Sequence, residues 1–307
     1  MSTTSNPQIQ AQSHNSFLKK FAAPDSTMLL VVLIWGGNFA VVKSALTQIA
    51  PLPFTAIRFS LATLLLMLLL WRREGDCAFP KENFWKFVWL GIVGNTVYQA
   101  LFATGLALTT SANASLILTT TPAMTALIGA FTGIERISKN MIAGVALAFG
   151  GVALVMASRG VALSSQTLTG DLLTFASVFC WTAYVLGMRT VSGNISSLRA
   201  TTLTLITGTP GLILLGAPGL LKTDWSRAGG ATVFGIIYSS ALALVVCYLL
   251  YNRNVRLIGG VRTTIYACAI PVIAALVAWP VLGEKPTLAQ GVGAILIIAG
   301  VLVTRRK

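Results

Sequence analysis

The chain has 307 residues, 55% of them hydrophobic and 10% charged, and its mean hydropathy is +0.79. A water-facing surface normally draws on about 25% charged residues. These proportions therefore exclude a soluble enzyme of this length and make an all-α, multi-pass membrane protein the expectation. The net charge of +14 would suggest nucleic acid in a soluble domain. Here the basic residues sit in short breaks between apolar runs, where they set membrane orientation, so no nucleic-acid partner is expected.

Residues 1–27 form a polar tail rich in Ser, Thr, Gln and Asn that holds the single histidine, His14. The apolar run after it is as long as a full span and has no small-residue cleavage site behind it, which makes it a first helix and not a signal peptide. Stretches able to cross about 30 Å of hydrocarbon recur at 28–46, 54–71, 84–106, 109–131, 141–158, 170–187, 200–217, 231–251, 261–282 and 288–304, which predicts ten transmembrane helices. The seventh run, rich in Thr and Gly, is the weakest, and the count falls to eight or nine if it does not span. Residues 305–307 are a basic C-terminus. Cys77, Cys180, Cys247 and Cys268 are irregularly spaced with no CxxC, so neither a metal site nor a disulfide framework is expected, and no cofactor is implied.

With both termini placed in the cytoplasm, 16 of the 22 Lys and Arg fall in inner segments. Arg159, Lys222, Arg227 and Lys285 fall in outer ones, and Lys43 and Arg58 lie within helices. The positive-inside rule then favours N-in, C-in and an even helix count.

The chain repeats itself. A shift of 149 residues puts Pro122 on Pro271, Leu127 on Leu276, Glu135 on Glu284, Gly144 on Gly293, Gly151 on Gly300 and Val152 on Val301. A shift of 146 puts Trp35 on Trp181 and Lys43 on Arg189. Residues 28–158 and 170–304 thus read as two copies of one five-helix unit. Five is odd, so the second copy enters the membrane upside down relative to the first. Inverted repeats mark transporters, whose substrate sites lie near the midplane between the halves.

Particular stretches carry a family resemblance. In the first half they are Trp35-Gly-Gly-Asn-Phe39, Pro51-Leu-Pro-Phe-Thr-Ala-Ile-Arg-Phe59, Ser111-Ala-Asn-Ala-Ser115 running on to Pro122, and Ile134-Glu-Arg-Ile-Ser138. The second half echoes them with Arg262-Thr-Thr-Ile-Tyr266 running on to Pro271, and Leu282-Gly-Glu-Lys-Pro-Thr287. Over residues 28–304 the chain resembles the drug/metabolite transporter superfamily, and within it the ten-helix EamA branch. It is similar there to amino-acid and metabolite exporters of bacterial inner membranes, including the YddG type that exports aromatic amino acids. The resemblance implies a central cavity worked by alternating access, with the fifth and tenth helices mainly scaffold.

Trp71, Trp85, Trp89 and Trp225 sit near span ends and fit an aromatic belt, as does Trp279. Trp35 and Trp181 instead lie within spans at equivalent positions. Each shares a helix face with a partner three residues on, Asn38 and Tyr184 respectively. An Asn amide in hydrocarbon needs partners, so these four line the cavity or glue helices together. The same two readings hold for Tyr98 and Gln99, with Asn95 and Thr96 beside them, and for Tyr238, with Ser239, Ser240 and Tyr248. Tyr266 is a further candidate. An aromatic ring with a hydroxyl suits an amphipathic solute. Arg58 and Lys43 are cations inside spans. Each either attracts a substrate carboxylate or snorkels to the headgroups.

Glu135 and Glu284 close helices and are expected to pair with the neighbouring Arg136, Lys139 or Lys285. Ser138 reads as the cap of the fifth helix, and Thr287 with Gln290 as a capping box opening the tenth. Pro122 and Pro271 fall mid-helix at matched positions, where each removes a backbone hydrogen bond; they are candidate hinges or only shape the cavity. Gly144, Gly151, Gly293 and Gly300 offer small-residue faces for close helix packing.

The leading expectation is a multi-pass exporter of the bacterial inner membrane that carries small solutes, amino acids first, aromatic or other neutral ones among them. Drugs, nucleosides and other metabolites are the alternative cargo. A membrane-embedded enzyme is disfavoured because the chain has no HExxH, no paired Asp and no membrane histidine. An open channel is disfavoured by the inversion. The partners are a small molecule and the bilayer, with a monomer or weak dimer expected. No Asp or Glu falls inside a predicted span, which argues against a carboxylate proton relay. In liposomes, transport is expected to be insensitive to an imposed pH gradient; strong stimulation by the gradient would show that such a relay operates.

Overall fold

The computed structural model describes residues 24–46, 48–109, 114, 117–157, 165–191, 195–273, 276 and 288–305. Their regular structure is helical. We label the helices α1 (Pro24–Ala45), α2 (Pro51–Glu74), α3 (Lys81–Leu108), α4 (Thr121–Phe131), α5 (Lys139–Ala157), α6 (Ser165–Thr190), α7 (Ser197–Lys222), α8 (Gly230–Ile258), α9 (Gly260–Ile273) and α10 (Leu288–Arg305). They occupy the ten predicted positions. Among the described residues five of them, α2, α3, α6, α7 and α8, are long and apolar enough to cross a membrane. The early part of the predicted fourth span and the end of the ninth, with Trp279, Glu284, Lys285 and Thr287, lie outside the described residues.

Local chemistry sets the ends. Helix α1 starts at Pro24, inside what reads as tail, because a proline at the first helical position loses nothing by lacking an N–H. Asp25 then places a carboxylate in the positive first turn. Helix α2 opens with Pro51 after an extended Ala50 and stops at Gly75, whose φ of 85° lets its N–H close on the Trp71 carbonyl. Ser196 caps α7 by accepting the Arg199 N–H, and Ser138 accepts the Met141 N–H at the start of α5 as expected.

The repeat is visible in the packing. Helices that correspond between halves lie against each other: α2 on α7, α4 on α9 and α5 on α10, while α1 with α8 mirrors α6 with α3. Each corresponding pair runs antiparallel. Along α2 and α7, Glu74 bonds Ser196 and Arg199 at one end, and Gly216 meets Leu52 and Ala56 at the other. Along α4 and α9, Thr119 faces Cys268 and Thr125 faces Gly260. Equivalent helices can oppose one another only if the second unit is inverted, so the fold is a pair of inverted repeats.

A close seam with matched glycines joins α5 and α10. A Cβ on Gly151 would stand 2.6 Å from the Gly293 carbonyl oxygen, and one on Gly300 would stand 2.6 Å from that of Gly144. The two contacts exchange under the repeat operation. Without a hydrophobic drive between helices in lipid, such backbone contact is what joins the halves here. Gly151→Val is therefore expected to destabilise the protein by about 1–3 kcal/mol, the cost of overpacking. Gly150→Val, where an added Cβ would meet nothing within 4 Å, should be close to neutral; thermal unfolding in detergent checks the pair.

Candidate functional site

Among the described residues two stretches of backbone widen from α-helix into π-helix. Ile92–Val97 in α3 and Tyr238–Val246 in α8 are π-helical, and the 146-residue shift puts Ile92 on Tyr238, so both begin at the same place in the repeat. Wide π turns re-aim side chains and concentrate at functional sites. In α3 the π turn lets Asn95 donate to the Thr204 carbonyl at 3.0 Å and Thr96 to that of Gly208 at 2.6 Å, seating α3 on α7. In α8 the Ala243 carbonyl accepts the Trp35 indole N–H at 2.9 Å, and Ser239 donates to the Asn38 amide oxygen at 2.8 Å. The Tyr238 hydroxyl donates to the Ile34 carbonyl at 3.1 Å. Asn38 and Tyr238 thus clamp α1 to α8.

The other predicted aromatics converge. Trp181 of α6 has ring centroids of Tyr98 at 4.9 Å, Tyr184 at 5.1 Å, Tyr251 at 5.4 Å, Tyr248 at 5.7 Å and Trp35 at 6.3 Å. Tilted and edge-on arrangements at these separations are the favourable ones for aromatic pairs. Helices from both repeats therefore meet at one aromatic centre. Tyr184 is fully buried and its hydroxyl accepts from Asn252, whose amide also reaches Thr201. Gly94 makes room for that ring, since a Cβ there would stand 2.1 Å from it.

Beside this centre lies Arg58, 7% exposed. Snorkelling, one of its two sequence readings, is thus ruled out for it. Its Nη2 donates to the Gln99 amide oxygen at 2.7 Å, and the Gln99 amide nitrogen is 3.4 Å from the Tyr248 hydroxyl. The Phe54 and Phe59 rings lie 5.8 and 5.4 Å from the guanidinium carbon, within cation–π range. The Phe59 ring is in turn 6.4 Å from that of Tyr248. The side chain of Lys43 lies outside the described residues. The belt tryptophans Trp71, Trp85, Trp89 and Trp225 are exposed, as belt residues should be.

Sequence reasoning did not place Phe59, Tyr251 and Asn252 in this cluster, and it named Tyr248 only beside Tyr238. A usable signal existed: Tyr248, Tyr251 and Asn252 are polar-tipped residues gathered within one turn of an apolar span, and Tyr248 is the repeat counterpart of Phe102.

The two prolines follow breaks in regular helix. Pro122 stands at the first turn of α4 behind a turn at Thr119 and Thr120, and Pro271 follows a 3-10 turn at Ala267–Ala269. Pro122 is therefore at a helix start and not in mid-helix, where its missing N–H leaves no broken bond.

One end of the bundle, where α1 begins and α8 finishes, is tied by carboxylates. Glu135 does not pair with Arg136 or Lys139, which point outward and are exposed. Its buried carboxylate instead accepts the Gly260 N–H at the start of α9 and lies 3.6 Å from Arg189 at the end of α6. A helix N-terminus favours a carboxylate, which explains why the cross-helix partner wins. Gly259, at φ 92°, turns the chain there with no room for a side chain beside Arg189. Nearby, Tyr266 donates to Asp25, and Asn254 donates to Thr27 at 2.8 Å. At the same end Arg199 holds Glu74 and Asp76. The Ala78 N–H, then Arg199, keep the Asp76 carboxyl below the usual carboxylate range, so this contact persists until the pH falls through that lowered value.

A helical inverted repeat with a buried aromatic and cationic centre at the junction of its halves defines a multi-pass membrane transporter fold. The chain belongs to the EamA-like transporter family, which matches residues 23–157 and 168–306, one copy per half. It is 31% identical to an uncharacterized transporter of Archaeoglobus fulgidus over 91% of this chain and 96% of that one. It is 30% identical to the uncharacterized transporter YyaM of Bacillus subtilis over 87% and 88%. A probable amino-acid metabolite efflux pump of Escherichia coli is 26% identical over 90% and 92%. A crystal structure superposes with a TM-score of 0.74 at 19% identity, covering 91% of this chain and 95% of that chain, which shows the fold.

Glu135→Ala leaves both the Gly260 N–H and Arg189 without their acceptor and is expected to cost roughly 1–3 kcal/mol. Arg189→Ala should cost less, because the Arg189 side chain is 36% exposed and water screens its share. Thermal unfolding of both variants in detergent checks the order.

Proposed function

We propose that this transporter exports small solutes, amino acids before other cargo, from the cytoplasm across the bacterial inner membrane by alternating access. The observation that carries the reading is the aromatic centre around Trp181, built from α1, α3, α6 and α8 of both repeats with Arg58 of α2 at its edge. Rings with polar tips beside a cation suit a small amphipathic solute. The cargo is held by Trp35, Tyr98, Trp181 and Tyr248, with Arg58 and Gln99 at one end; Tyr184 supports Trp181 from below, and Asn38 and Tyr238 hold the wall. A site shared by two inverted units opens to either side as the units rock, with the breaks ahead of Pro122 and Pro271 serving as hinges. The asymmetry of basic residues supports cytoplasmic termini. The Escherichia coli and Salmonella typhimurium relatives named probable amino-acid metabolite efflux pumps support amino-acid cargo.

The test is reconstitution, with uptake of labelled amino acids compared with nucleosides and other metabolites. Trp181→Ala, Trp35→Ala and Tyr98→Ala should each lower transport or shift cargo preference by roughly three- to tenfold, the worth of an aromatic contact. Trp85→Ala, on the exposed belt, should behave as the parent. Three site variants that carry every cargo like the parent would overturn the site.

A further inference from the structure

We infer that Arg58 anchors a carboxylate of the cargo, so that the site takes flat apolar molecules bearing a carboxylate and rejects amines that lack one. The inference rests on the reading that the Trp181 centre is where cargo binds, and it specifies the chemistry of that centre.

A guanidinium buried in a membrane protein is costly unless something neutralises it. Arg58 makes no ion pair among the described residues, whereas Arg189 and Arg199 do. Its contacts account for part of its donor fork. Nη2 is used by the neutral Gln99 amide, and Phe54 and Phe59 offer ring faces, while the buried Nε has no hydrogen-bond partner. A planar guanidinium matches a carboxylate with two parallel bonds, and the resulting contact is charge-assisted. A carboxylate arriving there supplies both the missing acceptor and the missing charge.

The position of Arg58 says what the carboxylate is attached to. Gln99 links the guanidinium to the Tyr248 hydroxyl, and the Tyr248 ring is 5.7 Å from Trp181, so the cation and the aromatic centre are continuous. None of the ring and hydrogen-bond contacts of that centre involves an Asp or Glu. The ammonium of an amino acid therefore meets ring faces, a weaker attraction than a paired charge. The carboxylate is the handle and the ammonium an accessory. One guanidinium balances a monoanion, whereas a phosphate group brings close to two charges, which favours carboxylates over phosphate esters.

The full-length protein is purified and titrated by calorimetry with three probes that share one ring: 3-phenylpropionate, phenylalanine and phenethylamine. The expected result is that the first two bind at least roughly tenfold tighter than the amine, the scale of a charge-assisted contact. Arg58→Gln should abolish that preference, and Arg58→Lys should keep a weakened one. The comparison of probes on the unsubstituted protein needs no variant, so a variant that fails to fold leaves the test intact. Phenethylamine binding as tightly as phenylpropionate, or a preference untouched by Arg58→Gln, overturns the carboxylate handle alone. Binding of none of the probes overturns it too, and amino-acid transport by the same preparation in vesicles then decides separately whether the export reading stands.

Discussion

Hydrocarbon offers no hydrogen bonds, and this one constraint governs the architecture. Every polar group carried into the bundle must find a partner inside the protein. The backbone answers by being helical. The many threonines and serines answer by turning back on carbonyls three or four residues earlier, as Thr125, Thr174, Ser240 and Thr264 do. Where a hydroxyl or amide reaches across, it ties two helices, as in the 2.7 Å contact of Thr63 with Thr209 or the Asn95 bond to Thr204. Arg58 departs from this pattern, because its charge is buried without a charged partner among the described residues.

The two halves share a scaffold but not a site. Glycines at matched positions bring α5 and α10 into backbone contact twice over, and matched π segments re-aim α3 and α8. The side chains on this frame have diverged. The 146-residue shift puts Arg58 on Thr204, Tyr98 on Leu244, Gln99 on Val245 and Asn38 on Tyr184. Even the retained pair differs in use, since the Trp35 indole bonds the Ala243 carbonyl while Trp181 sits among rings. Symmetry gives the two halves one backbone frame, and the asymmetric side chains set a cation at one side of the proposed site and rings at the other.

Much of this was legible in the chain, because membrane folding writes its main instructions locally. A span needs a run of about 20 apolar residues, and the repeat shows as an offset of 149 between prolines, glycines and glutamates and of 146 between tryptophans. The cap at Ser138 follows from the residue type alone. Part of the aromatic cluster proposed as the site was legible for the same reason: Trp35, Trp181, Tyr98 and Gln99 stand out as polar-tipped groups in apolar surroundings. Glu135 was misread because its neighbours in sequence offered charges, whereas the winning partners, Arg189 and the Gly260 N–H, are far along the chain.

The sequence by itself determined the class of fold, the inverted duplication and the residue types available for a cargo site, since periodicity, composition and repetition are properties of a chain read in one dimension. Only the tertiary structure decided which of those residues meet. It set Tyr248, Tyr251 and Phe59 beside the predicted aromatics, assigned Asn38 and Tyr238 to the clamp between α1 and α8, and buried Arg58 where the sequence left snorkelling open. The physical reason is that the rotation of each helix about its axis, and the re-aiming at a π turn, are settled by packing against helices far away in sequence. No local pattern encodes those angles.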